Sequence, residues 1–251
     1  MLEKHVYVTK DGYINSLYRI PGRKGEKAAP GKPVVLYQHG LVDSCASILA
    51  SEEESLGLKL VNMGYDLWMN NSRGNRYSRD HQLIDVDSCT HDKVEEFWAF
   101  SFQEMATYDQ PAVWSYILEK TGQSQLTYIG HSQGTTQMFA ALSENPEFFK
   151  PRLKKFIAIA PVLSVKNLGS QLLQNIAHDE RALAALKAVG PEVMAKASGG
   201  DFIGDLVVGS KVGETISDKV ISTLSDGDPE SIDPIGKANH FKFYPAGGCY
   251  Q

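Results

Sequence analysis

The chain has little cysteine. Cys45, Cys89 and Cys249 are the three among 251 residues, and they lie far apart. That spacing is neither a metal-ligand pattern nor a dense disulfide framework. One bridge can still form, but the odd count fits free thiols at least as well. Long apolar runs are missing too. None approaches the roughly 18 residues of a membrane-spanning helix, so no transmembrane segment is expected. Met1 leads into Leu2-Glu3-Lys4-His5 without the apolar stretch of a signal peptide. The expectation is a cytosolic chain, or one lacking an N-terminal targeting segment. A basic excess is absent as well, with 25 Lys and Arg against 30 Asp and Glu for a net charge of −5. Nothing in that balance calls for nucleic acid or an anionic membrane as the main partner. No internal repeat or low-complexity block occurs. Asn70-Asn71-Ser72, an N-x-[ST] triplet, follows a strand-like run and reads as buried rather than glycosylated.

What is present is ordinary globular material. Hydrophobic residues make up 42% of the chain, enough for one well-cored domain, alone or with a lid. Strand-like runs at residues 5–9 and 13–20 flank Asp11-Gly12, a hairpin turn signal. A polar loop over 21–32 precedes a short apolar run, 34–37, that ends at His39-Gly40. A helix is expected at about 53–63, stopped by Gly64, then a strand at 65–69 covered on both faces. A second helix runs from about 109 to 120, with Asp109 as its cap, Pro111 in its first turn, Gly122 past its end, and Trp114, Ile117 and Leu118 on one face. A strand at 126–129, a helix at 133–142 and a buried strand at 156–160 follow. Two antiparallel strands followed by strand–helix alternation argue for an α/β fold with a mostly parallel sheet. The core is expected at 1–164. Beyond it, 165–251 reads as short helices: an extra helical layer, or a cap over an apolar pocket.

Gly130-His131-Ser132-Gln133-Gly134 matches G-x-S-x-G between a strand-like and a helical run. That is the context of a nucleophile elbow. The turn must be sharp, so its flanking residues must be small. The following helix aims free N–H groups and its positive end at the reacting oxygen. The competing reading is an ordinary turn with Ser132 as a capping residue. Ser132 is the candidate nucleophile, with the N–H groups of Gln133 and Leu41 as candidate oxyanion donors. His39 could look like a general base, but it precedes the serine, whereas the expected order is Ser, acid, base, so it reads as loop-shaping. His131 reads as a packed or hydrogen-bonded residue.

Further stretches give the chain a specific likeness: Thr9-Lys10-Asp11-Gly12-Tyr13-Ile14 with Arg19-Ile20-Pro21, Pro33 to Leu41, Gly64-Tyr65-Asp66-Leu67-Trp68, Asn71-Ser72-Arg73-Gly74-Asn75, Glu96 to Phe102, Asp109 with Pro111, and Gly130 to Thr136. In these the chain resembles the acid lipase family over roughly residues 5–165. The resemblance implies an α/β-hydrolase fold with a helical cap, and hydrolysis of triacylglycerols, cholesteryl esters or other long-chain esters at a lipid–water interface or lipid droplet. It also implies a lysosomal or secreted location and no cofactor, with no metal site. Ser132 falls on the family's nucleophile, and Leu41 and Gln133 on its oxyanion donors. The acid and base are not found. His178 and His240 are the histidines after Ser132, and neither follows a core strand. The expectation is a chain truncated at its C-terminus, lacking the last two strands and turning over little substrate, with the strand at 156–160 left as an aggregation-prone edge. A non-catalytic, hydrolase-like protein that binds lipid or a partner is the second reading. Oligomeric state is not legible.

Overall fold

A hairpin leads the chain into its sheet. In the computed structural model, which describes residues 1–26, 30–87, 90–166 and positions 174, 178–181 and 239, strands β1 (Glu3–Val8) and β2 (Tyr13–Ile20) pair antiparallel. Gly12 turns between them at φ +98°, where a side chain would be strained. The Thr9 hydroxyl donates to Asp11 and fixes the turn.

The alternation then begins. Strand β3 (Val34–Gln38) is followed by 3₁₀ turns, helix α1 (Leu56–Asn62) and strand β4 (Asp66–Asn70). A two-residue strand β5 (Asp80–His81) and helix α2 (His91–Trp98) come next. A single helical turn, α3 (Phe102–Glu104), runs through a π-helical turn (Met105–Asp109) into helix α4 (Gln110–Thr121). Strand β6 (Leu126–His131), helix α5 (Gln133–Glu144), the short α6 (Pro146–Phe149) and strand β7 (Leu153–Ile159) complete the described order. The strands lie as β1-β2-β4-β3-β6-β7, with β5 beside β2. The pairs β4/β3, β3/β6 and β6/β7 are parallel.

Side chains alternate across a strand, so the central strands feed two cores. Val34, Leu36, Trp68, Leu126 and Tyr128 face Val113, Trp114 and Ile117 of α4 and Met138 of α5. Val35, Tyr37, Leu67, Met69 and Ile129 face Ile48 and Val61 on the other side. Each such burial stabilises by roughly 1.5–3 kcal/mol before entropy is counted. Helices on both faces explain why β3 and β4 are buried along their length.

The expected strands and helices are found within a few residues of their predicted ends, and Gly64 and Gly122 take positive φ where they stop α1 and α4. Asn70 of the N-x-[ST] triplet is fully buried. Two readings change. Asp109 does not cap α4: it is itself helical and makes no capping bond, because the π turn already continues the helix upstream. Strand β7 is not buried. It is the outer strand among the described residues, and Ile157 and Ile159 are exposed. The expected cap over 165–251 lies outside the described residues apart from the few positions named above, as do Cys89, Cys249 and His240. Cys45 is a free, buried thiol, its pKa pushed up to about 12 by burial. No described helix is long and apolar enough to cross a membrane.

Candidate active site

The chain leaves β3 for β4 on one side and later returns to β6 on the other. The order therefore reverses between β3 and β6, and in open α/β sheets ligands bind outside the carboxyl ends of the strands at such a point. Ser132 follows β6 there, and the loop His39-Gly40-Leu41 follows β3 beside it.

Ser132 has φ 51° and ψ −119°, a backbone that a side-chain-bearing residue rarely adopts. Its hydroxyl makes no capping bond to α5, which removes the capping-serine reading. The two motif glycines are required by contact. A Cβ on Gly130 would lie 2.8 Å from the Gly134 carbonyl, and one on Gly134 would overlap the Gln38 carbonyl oxygen. Helix α5 therefore starts hard against the end of β3. A Cβ on Gly40 would lie 3.0 Å from the Cβ of Ser132, so the two loops touch.

His39 sets the direction of its loop. It is buried, and its Nε2 accepts the Ser72 N–H at 3.0 Å. Nδ1 must then carry the proton, and it donates to the Gly40 carbonyl at 2.7 Å. No cis peptide occurs among the described residues, so the Leu41 N–H points opposite to that carbonyl, away from His39. Burial holds the His39 pKa below its usual value. With both nitrogens engaged, His39 is a loop-shaping residue and has no free position for base chemistry. Leu41 is 51% exposed. Val42 next to it also has positive φ, at 49°, unusual for a β-branched residue.

His131 Nδ1 stands 3.9 Å from Asp43 Oδ2, on the loop side of the serine. His178 is exposed. Among the described residues no cluster of His, Cys, Asp and Glu is arranged to hold a metal. A polar cavity of about 230 Å³ lies at the opposite end of the strands, lined by Arg19, Lys32, Asp66 and Lys120, and does not reach Ser132.

Beneath the site runs a polar network the sequence did not reveal. Gln38 bonds Ser72 and Asn70, Gln110 bonds Gln137 of α5, and Asn75 reaches His39. Beside it, Arg73 holds two carboxylates, Asp109 at 2.7 Å and Asp11 at 2.6 Å, and lies 3.9 Å from the Tyr13 ring centroid.

A serine at positive φ on a strand-to-helix turn, flanked by glycines that backbone contact demands, is the geometry that a G-x-S-x-G turn requires, and the sequence comparison gives the fold. Residues 33–206 match the family described as alpha/beta hydrolase fold. The chain belongs to that family. Residues 1–52 of this α/β hydrolase also match a partial alpha/beta-hydrolase lipase region. It is 39% identical to human (Homo sapiens) lipase member K over 99% of this chain and 61% of that protein. It is 50% identical to human lysosomal acid lipase/cholesteryl ester hydrolase over 65% of this chain and 40% of that protein. Gastric triacylglycerol lipase of Rattus norvegicus is 47% identical over 68% of this chain and 42% of its own length. The chain thus spans about three-fifths of lipase member K. A solved structure from Sulfolobus solfataricus superposes with TM-score 0.55 at 14% identity over 99% of this chain and 78% of its own, a likeness of fold alone.

Proposed function

We propose that this α/β hydrolase acts as a serine-ester hydrolase of the acid lipase type, with Ser132 as nucleophile. The observation that carries the reading is the strained backbone of Ser132 at the carboxyl edge of the sheet, with its hydroxyl free of any capping role. In the reaction a base takes the hydroxyl proton as Oγ bonds the ester carbonyl carbon. The carbonyl oxygen becomes an oxyanion, which we assign to the N–H groups of Leu41 and Gln133. The C–O bond to the alcohol then breaks as that oxygen receives the proton, leaving an acyl-enzyme. Water enters by the same route in reverse and releases the acid.

The substrate class we assign is long-chain esters, triacylglycerol or cholesteryl ester, met at a lipid–water interface in a lysosomal or extracellular setting. Identities of 39–50% to lipases support it. Residues 1–164 are taken as the catalytic core and 165–251 as the cap. The acid and base are assigned to no described residue, since His39 is fully engaged and His81 accepts from Leu83 and bonds the Asp11 carbonyl.

The test is labelling of the full-length protein carrying this sequence with a long-alkyl fluorophosphonate, together with turnover of a long-chain fluorogenic ester. Both are expected to vanish in Ser132→Ala. Labelling that persists in that variant would remove Ser132 from the role.

A further inference from the structure

Two turns meet at the end of β6, and each contains a residue other than glycine with left-handed φ. Ser132 has φ 51° and Ala160, just past β7, has φ 46°. Such backbones persist only where their surroundings over-determine them. Here the surroundings are a small hydrogen-bonded splice. The Ser132 N–H donates to the Ile159 carbonyl at 3.0 Å. Thr135, fully buried, accepts the Val162 N–H on Oγ1 at 2.9 Å. A backbone N–H can only donate, so the hydroxyl hydrogen of Thr135 is left for another acceptor, and it goes to the Ser132 carbonyl at 2.6 Å. Thr136 Oγ1 donates to the Val162 carbonyl at 2.8 Å.

Thr135 is the member of this splice that touches both turns through one atom. On one side it fixes the carbonyl of the strained serine. On the other it holds the chain that leaves β7. The Thr135 N–H also bonds the Ser132 carbonyl, at 2.8 Å, so that oxygen has two donors and little freedom to rotate. Without the side-chain oxygen, one of those donors is gone and the Val162 N–H loses its acceptor. The Ser132 peptide is then free to relax toward an ordinary φ, which would swing its hydroxyl off the edge of the sheet.

Resting on the reading of Ser132 as the nucleophile, we propose that Thr135 is a positioning residue, whose hydroxyl holds the Ser132 peptide in its left-handed conformation by bracing it against residues 159–162. The chemistry needs a hydroxyl that donates and accepts at once in a buried site. Serine supplies it, while valine has the same shape and does not.

The experiment is the rate of Ser132 labelling by a long-alkyl fluorophosphonate in the full-length protein carrying this sequence, normalised to the folded fraction from circular dichroism. A misplacement of about 1 Å can cost roughly 100-fold, so Thr135→Val is expected to slow labelling by at least about tenfold. Thr135→Ser is expected to label at nearly the unmodified rate. Thr136→Val, which removes the neighbouring bond without touching Ser132, is expected to do the same. If the valine variant does not fold, Thr135→Ala takes its place with the same expectation of slowing. Unmodified labelling in the folded Thr135→Val or Thr135→Ala protein overturns the proposal. So does slow labelling in Thr135→Ser, which would make packing rather than the hydroxyl responsible. Absence of Ser132-dependent labelling in the unmodified protein overturns the nucleophile reading, and this proposal with it.

Discussion

At the scale of single residues, His39 shows how a burial pattern decides chemistry. Its neutral ring donates from Nδ1 and accepts at Nε2, and an N–H already points at the second nitrogen. A second proton there would face a donor, and burial further disfavours the charged form. The folded chain therefore binds fewer protons at this site than the unfolded chain, whose imidazole titrates near ~6.5. Stability from this group is fully present above that value and is lost as pH falls from it through the lower folded value. Urea midpoints are expected to drop from pH 7.5 to 5. In His39→Gln, less stable at pH 7.5, the drop should be shallower. An equally steep drop in the variant would take His39 out of the pH dependence.

Among the elements, α5 depends on what its first turn lacks. Gly134→Ala places a methyl group against the Gln38 and His39 carbonyls, which belong to the backbone of β3 and its loop and cannot rotate away. It should destabilise the fold by about 1–3 kcal/mol and abolish Ser132 labelling together. Gly122→Ala is the contrasting case. Its φ is +66° with open space around it, so it should cost about 1 kcal/mol of stability, by denaturant melts, and leave labelling intact. Labelling that survives in Gly134→Ala would show that the helix start tolerates displacement. This turn was legible in the sequence because everything it needs lies within five consecutive residues. The strands were legible for a similar reason, since Val34 to Tyr37 and Leu126 to Ile129 carry local apolar runs. The partners of His39 were not, because Ser72 and Asn75 reach it from 33 and 36 residues away. Asp109 was misread for the same reason. A local rule made it a cap, and a contact with Arg73 36 positions distant made it an ion-pair partner. Helix α2 was missed although Val94, Phe97 and Trp98 fall on one helical face, whereas the π turn itself carries no local signal.

For the molecule as a whole, Arg73 binds distant parts of the chain together. It pairs with Asp11 of the N-terminal hairpin, 62 residues away, and with Asp109 beside α4. Burial alone would lower the guanidinium pKa, but the two carboxylates, Asp109 foremost, raise it further, so the cation stays charged. Asp11, although partly desolvated, is held below the usual carboxylate range by its bonds from Arg73. Arg73→Met is expected to lower global stability by about 3–5 kcal/mol in urea melts, because two buried or half-buried carboxylates lose their counter-charge. A loss under about 1 kcal/mol would mean water replaces the guanidinium without penalty. The π turn at Met105–Asp109 places Asp109 within that reach, and it also presents Met105 Sδ to Gln137 at 3.2 Å. A π turn holds one residue more than an α turn of the same place. A gene that lost a single codon here would restore a regular helix and keep the frame. Because the extra residue is taken up inside the turn, the helices on either side would keep their facing and only the residues of the turn would change theirs. The contacts at stake are those of Met105 with Gln137 and of Asp109 with Arg73, so a length change here is expected to be felt at those two partners rather than along α4.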